Sequence, residues 1–220
     1  SLLEAIRQPG GPHLIAELKR RSPSRGMLRE RFDPVSLAQT FQEAGAHALS
    51  VLTDETYFGG SLEFLKSAKQ FTELPVLRKD FIVDSYQVYE AALYEADAVL
   101  LIVRILPEEI LRDCCMVADR LGIEPLVEVH SSSDIQLALR VGANVIGINH
   151  RDLGTFTIDP TLTAQLLPQV PAGKTVVAES GLRTAQDVQR MKQLGVHAIL
   201  VGEALMTAPD PAATIRELLR

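Results

Sequence analysis

No stretch of the chain approaches the roughly 20 consecutive apolar residues that a bilayer-spanning helix needs. The start, Ser1-Leu2-Leu3-Glu4-Ala5-Ile6-Arg7, lacks the layout of a signal peptide, so a cytoplasmic protein with no membrane partner is expected. Positive charge is not in excess either. The 22 Lys and Arg against 28 Asp and Glu give a formal charge of −6, which argues against a nucleic-acid partner but leaves room for a local anion site. Cysteine is scarce, and the two present, Cys114 and Cys115, are adjacent. They fall in a helix expected over residues 107–121, where neighbouring side chains diverge and a disulfide is disfavoured. No Cys or His spacing suggests zinc, so no metal is expected and both thiols read as structural. A glycine-rich nucleotide loop is missing too: the segment after the first strand is Arg20-Arg21-Ser22-Pro23-Ser24-Arg25-Gly26, with no G-x-G-x-x-G.

What is present is a regular alternation. Apolar strands are expected over residues 13–19, 48–52, 76–79, 98–102, 125–129, 145–149, 175–179 and 198–201, separated by amphipathic helices, which is the signature of repeated βα units. Most of these runs are too continuously apolar to have a wet face, as parallel strands covered on both sides should be. Asp33-Pro34, Asp159-Pro160 and Asp210-Pro211 each place an N-cap acceptor before a proline suited to the first helical position. Thr184 with Asp187, and Ser131 with Asp134, read as capping boxes with Asp in place of Glu. Gly45-Ala46, Gly142-Ala143 and Gly195-Val196 stand just before strands, where glycine closes a helix. With 46% apolar and 23% charged residues and no linker or low-complexity stretch, the 220 residues form one domain. Eight such units fit a closed (β/α)₈ barrel better than an open doubly wound sheet.

Four of the strands deliver ionisable residues near their C-terminal ends: Glu17 and Lys19, Lys79, Glu128, and Glu179. An isolated charge on a buried strand costs several kcal/mol, and mutual pairing around a polar cavity is how such a set is tolerated. Any one of them alone reads as a solvated strand end; four together, far apart in sequence, point to an active site at the mouth of the barrel. Lys79 and Glu128 suit an acid and base pair, or a structural ion pair. Asn149 offers a neutral donor and acceptor to orient a substrate, and His150 and Arg151 follow it. His150 has no evident base partner and is not placed among the catalytic groups. Ser180-Gly181 and Gly202-Glu203 follow the seventh and eighth strands, where barrels commonly bind phosphate through backbone N–H groups; simple turn glycines are the alternative. A carboxylate at Glu203 would repel phosphate, so its side chain is expected to point away. Arg20, Arg21 and Arg25 read as loop charges.

At these residues the chain closely resembles the indole-3-glycerol phosphate synthase family. The matching blocks are Ile15-Ala16-Glu17-Leu18-Lys19-Arg20-Arg21-Ser22-Pro23-Ser24, Ser50-Val51-Leu52-Thr53-Asp54 with Phe58-Gly59-Gly60-Ser61, and Leu77-Arg78-Lys79-Asp80-Phe81. They continue through Leu126-Val127-Glu128-Val129-His130, Gly147-Ile148-Asn149-His150-Arg151-Asp152-Leu153, Ala178-Glu179-Ser180-Gly181 and Val201-Gly202-Glu203-Ala204-Leu205-Met206. The resemblance implies a (β/α)₈ barrel that closes a pyrrole ring on 1-(2-carboxyphenylamino)-1-deoxyribulose 5-phosphate, releasing carbon dioxide and water, with no cofactor. It implies that Lys79 is the general acid at the carbonyl and that Glu128 serves the later dehydration. Lys19 would hold the substrate carboxylate and donate a proton, Glu17 and Glu179 would complete the polar centre, and Asn149 would position the anthranilate portion. Ser22, Ser180, Gly181, Gly202 and Glu203 would surround the phosphate, with Arg151 and Phe81 also binding substrate. A monomer acting on a small phosphorylated molecule is expected. Two positions depart from the family pattern: His150 replaces an Asn, and Arg104 stands where a small residue is usual and is expected to narrow the mouth.

The residues by themselves also allow another sugar-phosphate barrel, such as a Schiff-base aldolase, which borohydride would trap at Lys79 or Lys19, and a noncatalytic binding barrel. Residues 1–12 read as the remnant of an additional N-terminal helix, with Leu2, Leu3 and Ile6 lying across the barrel mouth.

Overall fold

The computed structural model describes residues 1–220. Eight parallel strands close into a barrel: β1 (His13–Leu18), β2 (Ala48–Leu52), β3 (Val76–Lys79), β4 (Ala98–Ile102), β5 (Glu124–Val129), β6 (Val145–Asn149), β7 (Thr175–Glu179) and β8 (Ala198–Val201). Closure comes from β1, which pairs with β2 on one side and β8 on the other. The fold is the expected (β/α)₈ barrel, and all eight expected strands are present, with β1 ending one residue early and β5 starting one residue early.

Side chains alternate across each strand, and that period of two builds the site. Leu14, Ala16 and Leu18 of β1 pack outward into the shell between strands and helices, whereas Ile15 faces the barrel interior. Every strand gives that interior one apolar residue near its start: Ile15, Ala48, Leu77, Ala98, Leu126, Val145, Val177 and Ala198. Two positions further along, the same face carries Glu17, Ser50, Lys79, Leu100, Glu128, Gly147, Glu179 and Leu200. The lower layer anchors the barrel, each fully buried Val, Leu or Ile being worth about 1.5–3 kcal/mol. The layer above it concentrates charge at the C-terminal ends.

Helix starts follow the expected chemistry in part. Asp33 accepts from the Val35 amide and Asp210 from the Ala213 amide, each ahead of a proline, and Thr184 with Asp187 forms a full capping box. Ser131 caps through the Asp134 amide, but the Asp134 carboxylate takes the His130 amide instead of closing the box. Asp159 does not cap as expected: the helix Leu162–Leu166 begins after Thr161, because the Asp159 carboxylate is engaged by the Thr161 amide and hydroxyl. Gly45, Gly142 and Gly195 all take positive φ at helix ends. Cys114 is buried and Cys115 half-buried on the helix Glu108–Leu121, and both are free.

The N-terminal helix exists over Leu2–Ile6, but its expected position across the mouth is wrong. Leu2 and Ile6 are fully buried against the lower interior layer, and the Leu3 amide donates to Glu124 at the start of β5. The helix plugs the end of the barrel opposite the charges. Leu2 and Ile6 add apolar bulk to the lower interior layer, where β2, β4 and β8 supply only Ala48, Ala98 and Ala198.

Candidate active site

The upper interior layer lines a cleft that opens at the C-terminal ends of the strands, where barrels of this kind carry their sites. Glu17, Lys19, Lys79, Glu128, Asn149 and Glu179 all line it, so residues drawn from five strands meet as expected. Lys79 Nζ lies 2.7 Å from Glu179 Oε2 and 3.3 Å from Glu128 Oε2. Lys19 Nζ is 2.7 Å from Glu17 Oε1, and the Ser50 hydroxyl donates to Glu17 at 3.4 Å. Glu128 Oε1 and Glu179 Oε1 are buried with no hydrogen-bond partner in the protein; His130 Nε2 stands 3.5 Å from the former without bonding it. Each of these two carboxylates therefore keeps one oxygen able to receive a proton.

Three carboxylates and two ammonium groups leave the buried centre one negative charge in excess when all are ionised. Burial alone would lower Lys79, but Glu179, Glu128 and Glu17 together outweigh it and raise the ammonium pKa well above its ordinary value. Burial would likewise raise Glu17, yet Lys19 and Lys79 hold it below the usual carboxylate range. Glu179 absorbs the surplus. Burial pushes its pKa up to about 7, Lys79 opposes the shift, and the Glu128 and Glu17 charges add to it.

This has a consequence for stability. A carboxyl group raised from 4.5 to about 7 keeps its proton in the folded protein where the unfolded chain has lost it. The folded state then binds more protons, and stability falls as pH rises through that window. Glu179→Gln is expected to flatten the decline between pH 4.5 and about 7, as read from urea melts at several pH values; an unchanged slope would show that Glu179 titrates normally.

Glycine seats the carboxylates. Gly147, beside Glu128 in register, has its Cβ space taken by the Glu179 carboxylate: a methyl there would lie 2.1 Å from Oε1. At Gly202 a methyl would lie 2.3 Å from Glu17 Oε1. Gly202 thus shapes the charged centre as well as the turn after β8, and Gly147 is a glycine inside a strand, the usual mark of a close approach.

Phe81 lines the cleft and packs edge-on to Tyr57 at 6.1 Å and tilted to Phe58 at 6.0 Å. On the β2–β4 side Phe58, Phe81, Leu52 and Leu100 form an apolar wall, while Leu153 and Leu200 line the cleft from the β6 and β8 side. Below that wall, Arg78 is buried and bonded to Thr53, Asp80, Glu90 and the Gln87 carbonyl, while Asp80 also accepts from the Phe81 amide. This network fixes the segment that carries Lys79 and Phe81. Asn149 spends its side-chain oxygen on the Arg151 amide at 3.0 Å, which leaves its amide nitrogen as a donor.

Ser180, Gly181, Gly202, Glu203 and Arg151 line the other end of the cleft, but Ser22 does not; it is buried in the first loop with its hydroxyl unpartnered. Nor does the Glu203 side chain point away. It gathers Arg183 Nη2 at 2.6 Å, Arg25 Nε at 3.0 Å and Arg151 Nη2 at 3.5 Å, three guanidinium groups from separate loops. Arg104 does not narrow the cleft: it lies outside the lining and pairs with Asp152 at 2.7 Å.

The family model described as indole-3-glycerol phosphate synthase matches residues 1–218. An indole-3-glycerol phosphate synthase of Dehalococcoides mccartyi (strain CBDB1) is 51% identical over 209 residues, covering 94% of this chain and 81% of that protein. Indole-3-glycerol phosphate synthase 2 of Streptomyces coelicolor is 50% identical over 215 residues, covering 98% and 83%. Among solved structures, 3-hexulose-6-phosphate synthase from Salmonella typhimurium superposes with a TM-score of 0.75 at 16% identity, covering 94% of this chain and 96% of that one, a likeness of fold.

Proposed function

The chain belongs to the indole-3-glycerol phosphate synthase family, carboxy-lyases of tryptophan biosynthesis, and from that premise we propose how its barrel mouth carries out the reaction. The observation that carries the reading is Lys79, an ammonium held between two carboxylates at the floor of a cleft that is apolar on one side and cationic at one end. The phosphorylated end of the substrate lies against Ser180, Gly181, Gly202 and the Glu203 amide, and the aromatic ring lies against Phe81 and the leucine wall. Lys19 and the Asn149 amide take the ring carboxylate and orient it.

Ring closure joins the carboxylate-bearing ring carbon to the ketone carbon. The carbonyl π pair becomes a hydroxyl by taking a proton from Lys79. An alkoxide is a far stronger base than an amine, so the ammonium gives up its proton there even though the carboxylates hold it tightly. Loss of carbon dioxide returns the bonding pair to the ring and restores aromaticity, with no covalent intermediate on the protein. Dehydration then expels the hydroxyl as water, with a proton from Lys19, while Glu128 removes a proton from the adjacent methylene to complete the pyrrole. Glu179, its pKa raised to about 7 by burial, holds its proton part of the time near neutral pH and so lessens the negative charge that would oppose an anionic substrate. The test is direct: purified protein incubated with the carboxyphenylamino deoxyribulose phosphate should develop indole fluorescence and release carbon dioxide in equal amounts. Borohydride trapping of substrate on Lys79 or Lys19 would instead favour a Schiff-base enzyme.

Three arginines around one carboxylate leave two positive charges at the phosphate end, a match for a phosphate dianion. Glu203 competes with that phosphate for the guanidinium groups. Glu203→Gln is therefore expected to tighten binding of inorganic phosphate by about three- to tenfold, by calorimetry, since partly exposed ion pairs are worth at most about 1 kcal/mol each. Weaker binding would mean that the carboxylate is needed to hold the arginines in place.

A further inference from the structure

His150 follows the catalytic strand β6 yet turns out of the cleft. It is buried, 2% exposed, and both ring nitrogens are engaged: Nδ1 lies 2.9 Å from the Ser180 carbonyl oxygen and Nε2 lies 2.7 Å from Thr163 Oγ1. A carbonyl only accepts, so Nδ1 carries the proton and donates to Ser180, and in the neutral ring Nε2 accepts from the Thr163 hydroxyl. Burial holds the ring neutral by lowering its pKa.

The partner on the other side is the strained one. Ser180 has φ +67° and Gly181 φ +74°, two consecutive left-handed residues. Ser180 has no glycine's freedom there, and a non-glycine residue in that region costs about 1 kcal/mol or more unless its surroundings hold it. The loop after β6 does so from three sides. The His150 amide donates to the Glu179 carbonyl, the ring donates to the Ser180 carbonyl, and the Ile158 side chain packs so closely on Gly181 that a Cβ there would lie 2.6 Å from it. Asp159 closes the loop by donating its amide to the His150 carbonyl.

We propose that His150 is a positioning residue for the anion-binding turn: its Nδ1–H holds the Ser180 carbonyl so that the amides of the Ser180-Gly181 turn stay presented to the substrate phosphate. This rests on the phosphate reading of that turn. His150 touches neither substrate nor the reacting atoms, and its effect is on binding, not on proton transfer.

Inorganic phosphate, measured by calorimetry, and steady-state kinetics with the phosphorylated substrate provide the test. His150→Ala is expected to raise both the phosphate Kd and the substrate KM by about fivefold, the worth of one neutral hydrogen bond, with kcat within about twofold of wild type. His150→Asn, whose amide can donate from nearly the Nδ1 position, should restore Kd and KM. Thr163→Val, which removes only the outer bond, should lower the melting temperature while leaving Kd and KM alone. A folded His150→Ala protein with wild-type Kd and KM would overturn the inference, as would a Thr163→Val protein that binds phosphate as poorly as His150→Ala. If His150→Ala does not fold, the other two variants decide: Asn must keep phosphate affinity and Thr163→Val must not change it. Wild-type protein that binds no phosphate at this turn would remove the phosphate reading itself, an outcome distinct from equal binding by wild type and variant.

Discussion

Lys79→Ala is expected to leave the barrel folded and to lower kcat by about a thousandfold, within the range a positioned proton donor supplies. The lysine is the one cation bonded to both Glu128 and Glu179. Removing it leaves two buried carboxylates uncompensated, which is costly if they stay charged. Glu179 need not stay charged: burial already raises its pKa to about 7, and the lysine that opposes that shift is gone in the variant. The fold therefore survives near neutral pH, supported by the apolar layer beneath, while the acid for ring closure is gone. Lys79→Arg is expected to be nearly as impaired. Its planar fork favours bidentate pairing with a carboxylate and cannot place one proton over one carbonyl oxygen as a flexible ammonium does. Circular dichroism with indole fluorescence kinetics checks both variants, and an Arg protein with near-normal kcat would show that position 79 supplies only a point charge.

How much of this could be read beforehand differed by element. Strands were legible because parallel strands buried on both faces are continuous apolar runs, and their charged upper ends interrupt those runs at one fixed position per strand. Glu17, Lys79, Glu128 and Glu179 were found for that reason. Loop side chains obey no such period. Nothing in the spacing of Glu203 told that Arg25, Arg151 and Arg183 would converge on it, and the burial of Ser22 away from the cleft was equally hidden. Asp159 carried the same Asp-Pro signal as Asp33 and Asp210, but Thr161 captured its carboxylate first. The N-terminal helix was legible as an amphipathic segment, while its place was not, because either end of a barrel can take an apolar plug. Gly147 is not legible as a site residue, since a strand glycine shows where something else must fit without saying what.

That glycine supports the second large effect. Gly147→Ala is expected to reduce kcat by about a hundredfold, the cost of moving a catalytic group by roughly 1 Å, while shifting the melting temperature by less than about 4 °C. The added methyl would meet Glu179 Oε1 at 2.1 Å and the carboxyl carbon at 3.3 Å, with Leu126 next at 3.5 Å. The atom in the way is the tip of a side chain, so relief is easy: Glu179 swings aside and the strand stays where it is. Its 2.7 Å bond to Lys79 is what that movement sacrifices. Lys79 then leans on Glu128 alone, and the carboxylate needed at dehydration is drawn into a tighter ion pair. The net cost to stability stays small, because the displaced Glu179 can keep its proton and alanine restricts the unfolded chain more than glycine does. Glu179→Gln separates the steric from the electrostatic cause. If Gly147→Ala acts by displacing Glu179, adding it to Glu179→Gln should reduce kcat by much less than it does alone, since both changes disable one group. Fully additive losses in the double variant, or wild-type turnover in Gly147→Ala, would show that the glycine does not serve to seat Glu179.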